Sequence, residues 1–233
     1  MKKYSVQNIN DELRGWDNGE YYGQWETDRI IKTYFPEGYQ GTCVEVGAAN
    51  GVKGSNTLYF EERGWEVLCI EPNPEHAESL KKYRNLVCHM ACGDRAGFFP
   101  LTVFKVGQKN ISSSLTSLYP DSRLVKDHEH IINKKYKIDV RVETLTKILE
   151  NETINTPFAN LKSIDFISID TEGTELDVVN GFNFEKYNVQ LFIIENNYND
   201  KNIEDFMLSK GYIKDQRYKI NDFYIRDNKR KIC

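Results

Sequence analysis

The sequence predicts a single α/β domain with a mostly parallel sheet, helices on both faces and an antiparallel hairpin at its C-terminal end. Short apolar runs alternate with longer amphipathic ones, which is the pattern of βαβ units. The apolar runs are nearly continuous, as in parallel strands that are buried on both faces. The length of 233 residues is ordinary for one domain of this class.

Five strands are predicted for the parallel part of the sheet. They span residues 42–46, 66–71, 86–90, 164–169 and 189–195. Two further strands, 212–218 and 222–225, follow as a hairpin with a turn near Asn221. A βαβ array closed by an antiparallel hairpin is the Rossmann-like arrangement of class I methyltransferases, whereas a nicotinamide-binding domain continues with parallel strands.

Helices are predicted around these strands, with recognisable start and stop signals. They cover residues 25–34, 56–63, 74–83, 144–150 and 200–210. Asn73 is suited to cap the helix at 74–83, and Pro74 suits its first position. Gly64 and Gly211 are placed to end the helices that precede them.

Two segments lie outside this repeating pattern. We expect residues 1–40 to form an N-terminal helical cover on the sheet, and residues 98–137 to be an insertion between the third and fourth strands. The insertion contains the strand-like run FFPLTVF and then a long polar stretch. Segments of this length are uncommon inside a domain and often serve as lids. The alternatives are therefore a lid over the site and a disordered surface insertion.

Composition and charge narrow the classes of function. A formal net charge of -4 and a pI near 5.7 do not favour a nucleic-acid partner, and no apolar run is long enough to cross a bilayer. An odd set of cysteines without a CxxC pair indicates reduced thiols in a cytoplasmic protein. These cysteines are Cys43, Cys69, Cys88, Cys92 and Cys233. Zinc at Cys88, Cys92 and His89 is the alternative, but the spacing is poor for such a site.

The first predicted strand runs into VEVGAANG, a glycine-rich turn that leads to a helix. Such turns bring the backbone close to a bound ligand. Glu45 suits the ammonium group of an amino acid, and the polar residues after the turn suit a zwitterion better than a diphosphate. The predicted cofactor contacts here are Glu45, Gly47, Ala48, Asn50, Gly51, Ser55 and Asn56.

The ends of the next two strands complete the predicted cofactor site. Glu71 lies about twenty residues past the turn, where an acidic residue accepts hydrogen bonds from ribose hydroxyls. The third strand leads into MACGD, which we expect beside an adenine ring. The predicted contacts along this edge are Glu71, Pro72, Asn73, Ala91, Cys92 and Asp94.

Several of these runs occur in an order that is typical of one family. They are VEVGAANGVKGSNTLYFEERGWEVLCIEPNP, MACGD, IDFISIDTEGTELDVVNGF and LFIIENN. In this order they resemble the FkbM family of methyltransferases over residues 22–197. The resemblance implies a class I methyltransferase fold, S-adenosylmethionine (SAM) as donor, and O-methylation of sugars or other hydroxyls of polyketides and glycans. Gly23 and Gln24 match the family's segment before the first strand, which makes Gln24 a cofactor contact.

Acidic side chains follow two neighbouring strands of the predicted sheet. Asp170 follows the fourth strand, and Glu195 and Asn196 end the fifth. Their oxygens are hard ligands suited to Mg²⁺ or Mn²⁺, and the layout resembles the metal site of catechol O-methyltransferase. A cation at this position stabilises the alkoxide of an acceptor alcohol. Asp170 is also placed to contact the cofactor.

The predicted catalytic residues are Asp170, Glu172 and Glu195. Glu172 is the preferred base, because it is the nearest titratable residue to the end of the fourth strand. His128 and His130 are the alternatives, since an imidazole titrates near neutrality.

Residues that could hold a sugar or glycan acceptor lie in the two outlying segments. Ser112, Ser113 and Ser114 are candidate hydrogen-bonding residues from the insertion. Aromatic residues form apolar platforms for sugar faces, and the candidates here are Tyr22, Trp25 and Tyr119.

Three alternative functions remain at this level. The first is a metal-independent O-methyltransferase for small molecules of the polyketide type, which sensitivity to EDTA separates from the metal-assisted enzyme. The second is a nucleotide- or NAD-binding Rossmann-like protein, although the full GxGxxG motif is missing. The third is a binding module that kept the SAM fold without turnover. No sequence motif identifies the acceptor, the methylated position or the oligomeric state.

Overall fold

The computed structural model describes residues 20–107, 111–112, 115–120 and 122–227. Within these residues the strands are β1 Thr42–Val46, β2 Glu66–Ile70, β3 Leu86–Cys88, β4 Ala91–Gly93, β5 Gly97–Val106, β6 Ile111–Ser112, β7 Ile132–Thr144, β8 Ser163–Ile169, β9 Asn188–Glu195, β10 Tyr212–Tyr218 and β11 Asn221–Arg226. The α-helices are α1 Thr27–Lys32, α2 Leu58–Glu62, α3 Pro74–Tyr83, α4 Arg123–Asp127, α5 Leu145–Asn151, α6 Glu175–Asn180 and α7 Lys201–Ser209. Short 3-10 helices cover Gln24–Glu26 and Glu129–Ile131.

The main sheet has seven strands in the order β10-β11-β9-β8-β1-β2-β3. Its first five strands along the chain (β1, β2, β3, β8 and β9) pair in parallel, and β11 lies antiparallel to both β9 and β10. This confirms the predicted mostly parallel, class I methyltransferase-like sheet with a C-terminal hairpin. The strand order reverses between β1 and β8, which is where such sheets open a crevice for ligands.

Both faces of this sheet are buried, because successive side chains of a strand point to opposite faces. On β1, Val44 packs in the core on one face, whereas Cys43 packs in the core on the other. Helices α5, α6 and α7 cover the first face, through residues such as Val178. Helices α1, α2 and α3 cover the second, through residues such as Leu58 and Leu80.

A second, four-stranded sheet has the order β4-β7-β5-β6 and was not predicted. The long strands β5 and β7 pair antiparallel and occupy much of the predicted insertion at 98–137. The third predicted strand, 86–90, is shorter than expected, because residues 91–93 leave the main sheet as β4 and pair with β7. In its described part, the insertion thus contributes β5, β6 and the start of β7 to this sheet, and it also contains α4.

The helix ends follow the sequence signals. Asn73 accepts a hydrogen bond from Glu75 N at the start of α3, and Asp200 caps α7 in the same way. The helix predicted at 25–34 starts later than expected, at residue 27, because Trp25 and Glu26 have left-handed backbones with φ of 54° and 58°. Among the described helices, none has the length and apolar character needed to cross a membrane.

Candidate active site

A cavity of about 780 Å³ opens at the carboxyl ends of β1, β2, β8 and β9, below the second sheet. Most of the predicted site residues line this cavity. They are Gln24, Glu45, Gly47, Ala48, Asn50, Ser55, Glu71, Pro72, Ala91, Cys92, Asp170, Glu172 and Glu195. Residues from separate strands and loops therefore meet in one place, which the strand-end argument predicts for this class of sheet.

The turn after β1 needs glycine at its first position. Gly47 has a φ of +83°, and a side chain there would place Cβ 1.7 Å from the carbonyl oxygen of Asp170. Its backbone N–H donates to the carbonyl of Ile70 at 3.0 Å. The turn is thus pressed between the ends of β2 and β8, and its backbone lines the cavity.

Glu45 lines the cavity, but its carboxylate is already engaged within the protein. It accepts hydrogen bonds from Ser55 Oγ at 2.8 Å, from Asn56 N at 2.7 Å and from Thr57 Oγ1 at 2.7 Å. The buried guanidinium of Arg84 lies 3.2 Å away. Glu45 therefore organises the loop after β1 and has a cation partner, which argues against the direct ammonium contact that we predicted.

Glu71, the predicted acceptor of ribose hydroxyls, lies at the wall of the cavity. It is only 4 % exposed, yet it lines the cavity. Its two oxygens accept hydrogen bonds at 2.8 Å from Ala49 N and from Asn73 N. His76, on the first turns of α3, has Nδ1 3.8 Å from the same carboxylate. Two backbone N–H groups thus fix the carboxylate of Glu71 at the cavity wall.

Two predicted contacts in the glycine-rich loop lie behind the cavity wall. A side chain on Gly51 would collide with Leu80, so this glycine permits close packing of α3. The Asn56 side chain turns towards Ser168, whose Oγ accepts its amide hydrogen at 3.0 Å. Neither residue lines the cavity, and both predictions of cofactor contact are corrected to supporting roles.

Two further predicted contacts, Asn73 and Asp94, also lie away from the cavity. The side chain of Asn73 caps α3 by accepting from Glu75 N at 3.1 Å. Asp94 is an exposed residue in the turn between β4 and β5, with its carboxylate 4.0 Å from Arg95. Ala91 and Cys92, which were predicted on the same edge, do line the cavity.

Three carboxylates meet beside the cavity, and two of them, Asp170 and Glu195, line it. Oxygen atoms of Asp170, Glu175 and Glu195 lie within 4.8 Å of one another. Burial, and next the charge of Glu175, raise the pKa of Asp170 to about 7, although its side chain is still partly open to the cavity. Burial, and next the charge of Asp170, raise the pKa of Glu195 well above its ordinary value. The Oε2 atom of Glu195 is buried and has no hydrogen-bond partner.

Asn196 does not join this cluster, which corrects its predicted role as a metal ligand. It is 3 % exposed, and its side chain points away from Glu195 because neighbouring residues of a strand alternate in direction. Its amide donates to Asp222 Oδ2 at 2.8 Å, and its oxygen accepts from Asp200 N at 2.6 Å. The third carboxylate of the cluster belongs to Glu175, on the first turn of α6, whose Oε1 accepts hydrogen bonds from Thr171 N at 2.9 Å and from Gly173 N at 3.0 Å.

Glu172 lines the cavity from the turn between β8 and α6. It has a left-handed backbone with a φ of 58°, a conformation uncommon outside glycine and asparagine. Burial, and next the charge of Asp170, raise its pKa well above the ordinary value. Its carbonyl accepts a hydrogen bond from Ser117 Oγ at 3.1 Å, so the 115–131 segment contacts this turn.

The roof of the cavity comes from the predicted insertion and is largely apolar, which the sequence did not show. It includes Leu101, Val106, Leu115, Leu118, Leu124 and Ile131. Two exposed hydrogen bonds connect this roof to α6 and to the loop after β9. Tyr119 Oη donates to Asp177 Oδ2 at 2.6 Å, and Tyr198 Oη donates to Asp127 Oδ2 at 2.5 Å.

Of the residues predicted to hold the acceptor or to act as alternative bases, only some line the cavity. Trp25 lines the cavity and is 37 % exposed, and His128 lines it as well. Tyr22 instead donates to Glu62 in the core, and Tyr119 and His130 do not line the cavity. Ser113 and Ser114, the side chain of Ser112, and Cys233 lie outside the described residues.

The zinc alternative is not supported by the described residues. Cys88 and Cys92 are buried free thiols, and His89 is an exposed residue whose Nε2 lies 3.1 Å from the carbonyl of Pro72. The described histidine, cysteine and acidic side chains converge on a potential metal position at Asp170, Glu175 and Glu195.

Comparison with known proteins gives one family match. The model of the methyltransferase FkbM domain matches residues 45–214, and no curated protein matches the chain. Solved structures with some likeness include the precorrin-6y C5,15-methyltransferase from Geobacter metallireducens, at 12 % identity and a TM-score of 0.42, covering 91 % of this chain and 96 % of that one. TrmK of M. capricolum, in complex with S-adenosyl-homocysteine, is 10 % identical with a TM-score of 0.44, covering 87 % and 68 %. The METTL16 methyltransferase domain is 9 % identical with a TM-score of 0.48, covering 87 % and 67 %.

Proposed function

Since the chain belongs to the FkbM family of methyltransferases and is thus a SAM-dependent enzyme, we propose that it methylates a hydroxyl group of a sugar or glycan with the help of a divalent cation. The observation that carries this proposal is the acidic cluster of Asp170, Glu175 and Glu195, two members of which line the cavity. A hydroxyl that is to be methylated must lose its proton, and the cluster offers both a cation site and a base for that purpose.

The cavity suits SAM in size and in the kinds of group along its wall. A volume of about 780 Å³ falls in the range of cofactor pockets. We propose that Glu71 accepts the ribose hydroxyls, and that the backbone at Ala91 and Cys92 borders the adenine. The backbone at Gly47 and Ala48 and the side chain of Gln24 border the methionine part. When bound, SAM supplies an electrophilic methyl group on a sulfonium.

A divalent cation is the group that best matches the orphaned oxygen of Glu195. Three carboxylates within 4.8 Å of one another, two of them buried, repel each other strongly unless protons or a cation offset their charges. Asp170, Glu175 and Glu195 offer oxygen ligands only, which favours Mg²⁺ or Mn²⁺ over softer metals. Such a cation would lower the pKa of a hydroxyl that it binds.

Glu172 is the proposed acceptor of the hydroxyl proton at its carboxylate. It lines the cavity next to the cluster, and its left-handed backbone holds it in the turn above Asp170. The alternative, His128, also lines the cavity, and its Nδ1 lies 2.9 Å from the carbonyl of Leu124. Trp25 is the proposed platform for the apolar face of a sugar ring.

A second candidate function follows from the apolar roof. Leu118, Leu124 and Ile131 give the cavity an apolar side, which favours an acceptor of the polyketide type and requires no metal. The cytoplasm is the proposed location for either enzyme, because the described cysteines are free thiols.

Isothermal titration of S-adenosylhomocysteine (SAH), with Mg²⁺ and then with EDTA, tests the cofactor site. Binding in the wild type that is lost in Glu71→Ala supports the proposal, because the ribose hydroxyls then lack their acceptor. Glu66→Ala is the matched control, since Glu66 is an exposed acid at the start of the same strand. Loss of SAH binding in both variants would contradict the role of Glu71.

Mn²⁺ titration tests the cation site separately from the cofactor site. We expect wild-type protein to bind Mn²⁺ and the Glu175→Gln variant to lose at least tenfold in affinity, with Asp139→Asn as an exposed control. Transfer of labelled methyl groups to a sugar panel, with and without EDTA, then links binding to turnover. Turnover that is insensitive to EDTA, with no Mn²⁺ binding, would favour the metal-independent enzyme.

A further inference from the structure

The charged side chains along the cavity wall are distributed unevenly. Glu71, Asp170, Glu172 and Glu195 contribute acidic groups, and Lys53 is the one lysine or arginine among the described residues that line the cavity. Glu45 also lines the wall, but Arg84 lies against its carboxylate from behind. The wall is therefore strongly acidic apart from the position of Lys53.

SAM carries two positive groups, the sulfonium and the ammonium, and one negative group, the carboxylate. An acidic wall attracts the first two and repels the third, because opposite charges attract and like charges repel. The carboxylate thus requires a cationic partner at one end of the cavity. This argument rests on the SAM dependence of the family and not on the acceptor or the metal.

The loop around Lys53 is held in a fixed shape. The side chain of Asn50 accepts hydrogen bonds from Val52 N at 2.9 Å and from Lys53 N at 3.0 Å. Gly54 pairs with Gly23 in an isolated parallel bridge, and its N–H donates to the carbonyl of Tyr22 at 2.8 Å. This bridge brings the Lys53 loop next to the segment that begins with Gln24.

The neighbourhood of Lys53 has room for a small anionic group. Gly54 has a φ of +85°, and nothing lies within 4 Å of the place where its side chain would be. Gln24, Gly54 and Ser55 line the cavity together with Lys53. Gln24 and Lys53 thus line the same part of the cavity, beside the turn after β1.

We propose that Lys53, assisted by the amide of Gln24, binds the carboxylate of the methionine part of SAM and so fixes the direction of the cofactor in the cavity. With the carboxylate at this end, the ribose lies at Glu71 and the adenine at Ala91 and Cys92. The methyl group then faces the acidic cluster. Lys53 is thus a cofactor-binding residue that no sequence motif marked.

The test compares two ligands that differ in the methionine part. SAH has the carboxylate, whereas 5′-methylthioadenosine keeps the adenosine and lacks the whole amino-acid end. By isothermal titration, Lys53→Met should weaken SAH binding about 10- to 100-fold, as expected for the loss of a charged hydrogen bond. It should leave the affinity for 5′-methylthioadenosine within about twofold of the wild type. Lys53→Arg should retain most of the SAH affinity.

Controls separate this role from a structural one. Lys81→Met removes an exposed lysine that pairs with Glu78 on α3 and should change neither affinity. Melting temperatures of all variants verify that the fold is intact. Equal weakening of both ligands by Lys53→Met would assign Lys53 to loop structure and overturn the proposal. Unchanged SAH binding in that variant would overturn it as well, while the cofactor site at Glu71 would stand.

The experiment gives a different result if the premise of SAM binding is wrong. If wild-type protein bound neither SAH nor 5′-methylthioadenosine, SAM dependence and the role of Lys53 would fall together. If Glu71→Ala weakened both ligands while Lys53→Met weakened only SAH, the two ends of the cofactor would be assigned independently.

Discussion

Arg84 is the residue on which the cofactor loop depends most directly. Its guanidinium is buried, and it contacts the carboxylates of Glu61 and Glu45. It also donates to the carbonyl of Gly51 at 2.9 Å and to Thr57 Oγ1 at 2.6 Å. One side chain from the end of α3 thus ties the glycine-rich turn to α2. The sequence contains no sign of this, because Arg84 is 39 residues from Glu45.

Replacement of Arg84 by methionine should leave two buried carboxylates without a cation. We expect the free energy of unfolding to fall by about 3–5 kcal/mol, as when one partner of a buried pair is removed. Urea denaturation measures this. Arg141→Met, which breaks an exposed pair with Glu152, is the control and should cost no more than about 1 kcal/mol. Equal losses in the two variants would show that the Arg84 cluster is not what holds the loop.

The segment 115–131 acts as a roof because side chains tie it to the main sheet. The ring of Tyr198, in the loop after β9, lies under the guanidinium of Arg123 at 4.2 Å, and its hydroxyl donates to Asp127. Both partners belong to α4. The bonds are exposed, so they contribute little to global stability, yet they decide how closely the roof rests on the cavity.

Tyr198→Ala should loosen α4 without unfolding the domain. We expect faster hydrogen exchange in residues 122–131 and unchanged exchange in β8 and β9, because local opening requires only the loss of these surface contacts. Exchange measured by mass spectrometry tests this. Phe98→Ala, at an aromatic residue that is 74 % exposed on β5, is the control and should leave residues 122–131 as they are. Unaltered exchange in the Tyr198 variant would show that the contacts of Tyr198 do not hold α4 in place.

At the scale of the whole molecule, the acidic cluster that we propose for function also lowers the stability of the fold when it is deprotonated. Burial raises the folded-state pKa of Asp170 from 3.8 to about 7, so the folded protein holds a proton there that the unfolded chain releases. The free energy of unfolding therefore falls as the pH rises through this range. A cation bound to the cluster opposes that loss by stabilising the folded state.

Melting temperatures in EDTA should consequently decrease as the pH rises from about 4 to about 7, and level off above that, where Asp170 is deprotonated in both states. Asp170→Asn should reduce this decrease and melt above the wild type at pH 8, by about 2–4 °C for each ~1 kcal/mol gained. Added Mg²⁺ should raise the melting temperature of the wild type and not that of the variant. Asp139→Asn, on an exposed position of β7, should behave as the wild type. A lower melting temperature of Asp170→Asn at pH 8 would contradict the raised pKa.

The sequence was most informative where a physical signal is local. The near-continuous apolar runs identified β1, β2, β8 and β9 within two residues, and Asn73 with Pro74 marked the start of α3. The order of the motifs identified the family, and the strand ends placed Glu71 and Asp170 at the cavity. These predictions need only the periodicity of a strand, a cap or the rule that strand ends meet at one edge.

By itself, the sequence determined the parallel sheet, its C-terminal hairpin, the family and the edge at which the site lies. The tertiary structure alone decided which side chains face the cavity. It directed Asn196 towards Asp222 and placed Glu175 beside Asp170 and Glu195, because the pleat of β9 and the first turn of α6 set those directions. It paired Glu45 with Arg84 and placed β5, β6 and β7 in a sheet with β4. Such outcomes depend on contacts between residues far apart in the chain, which no local pattern encodes.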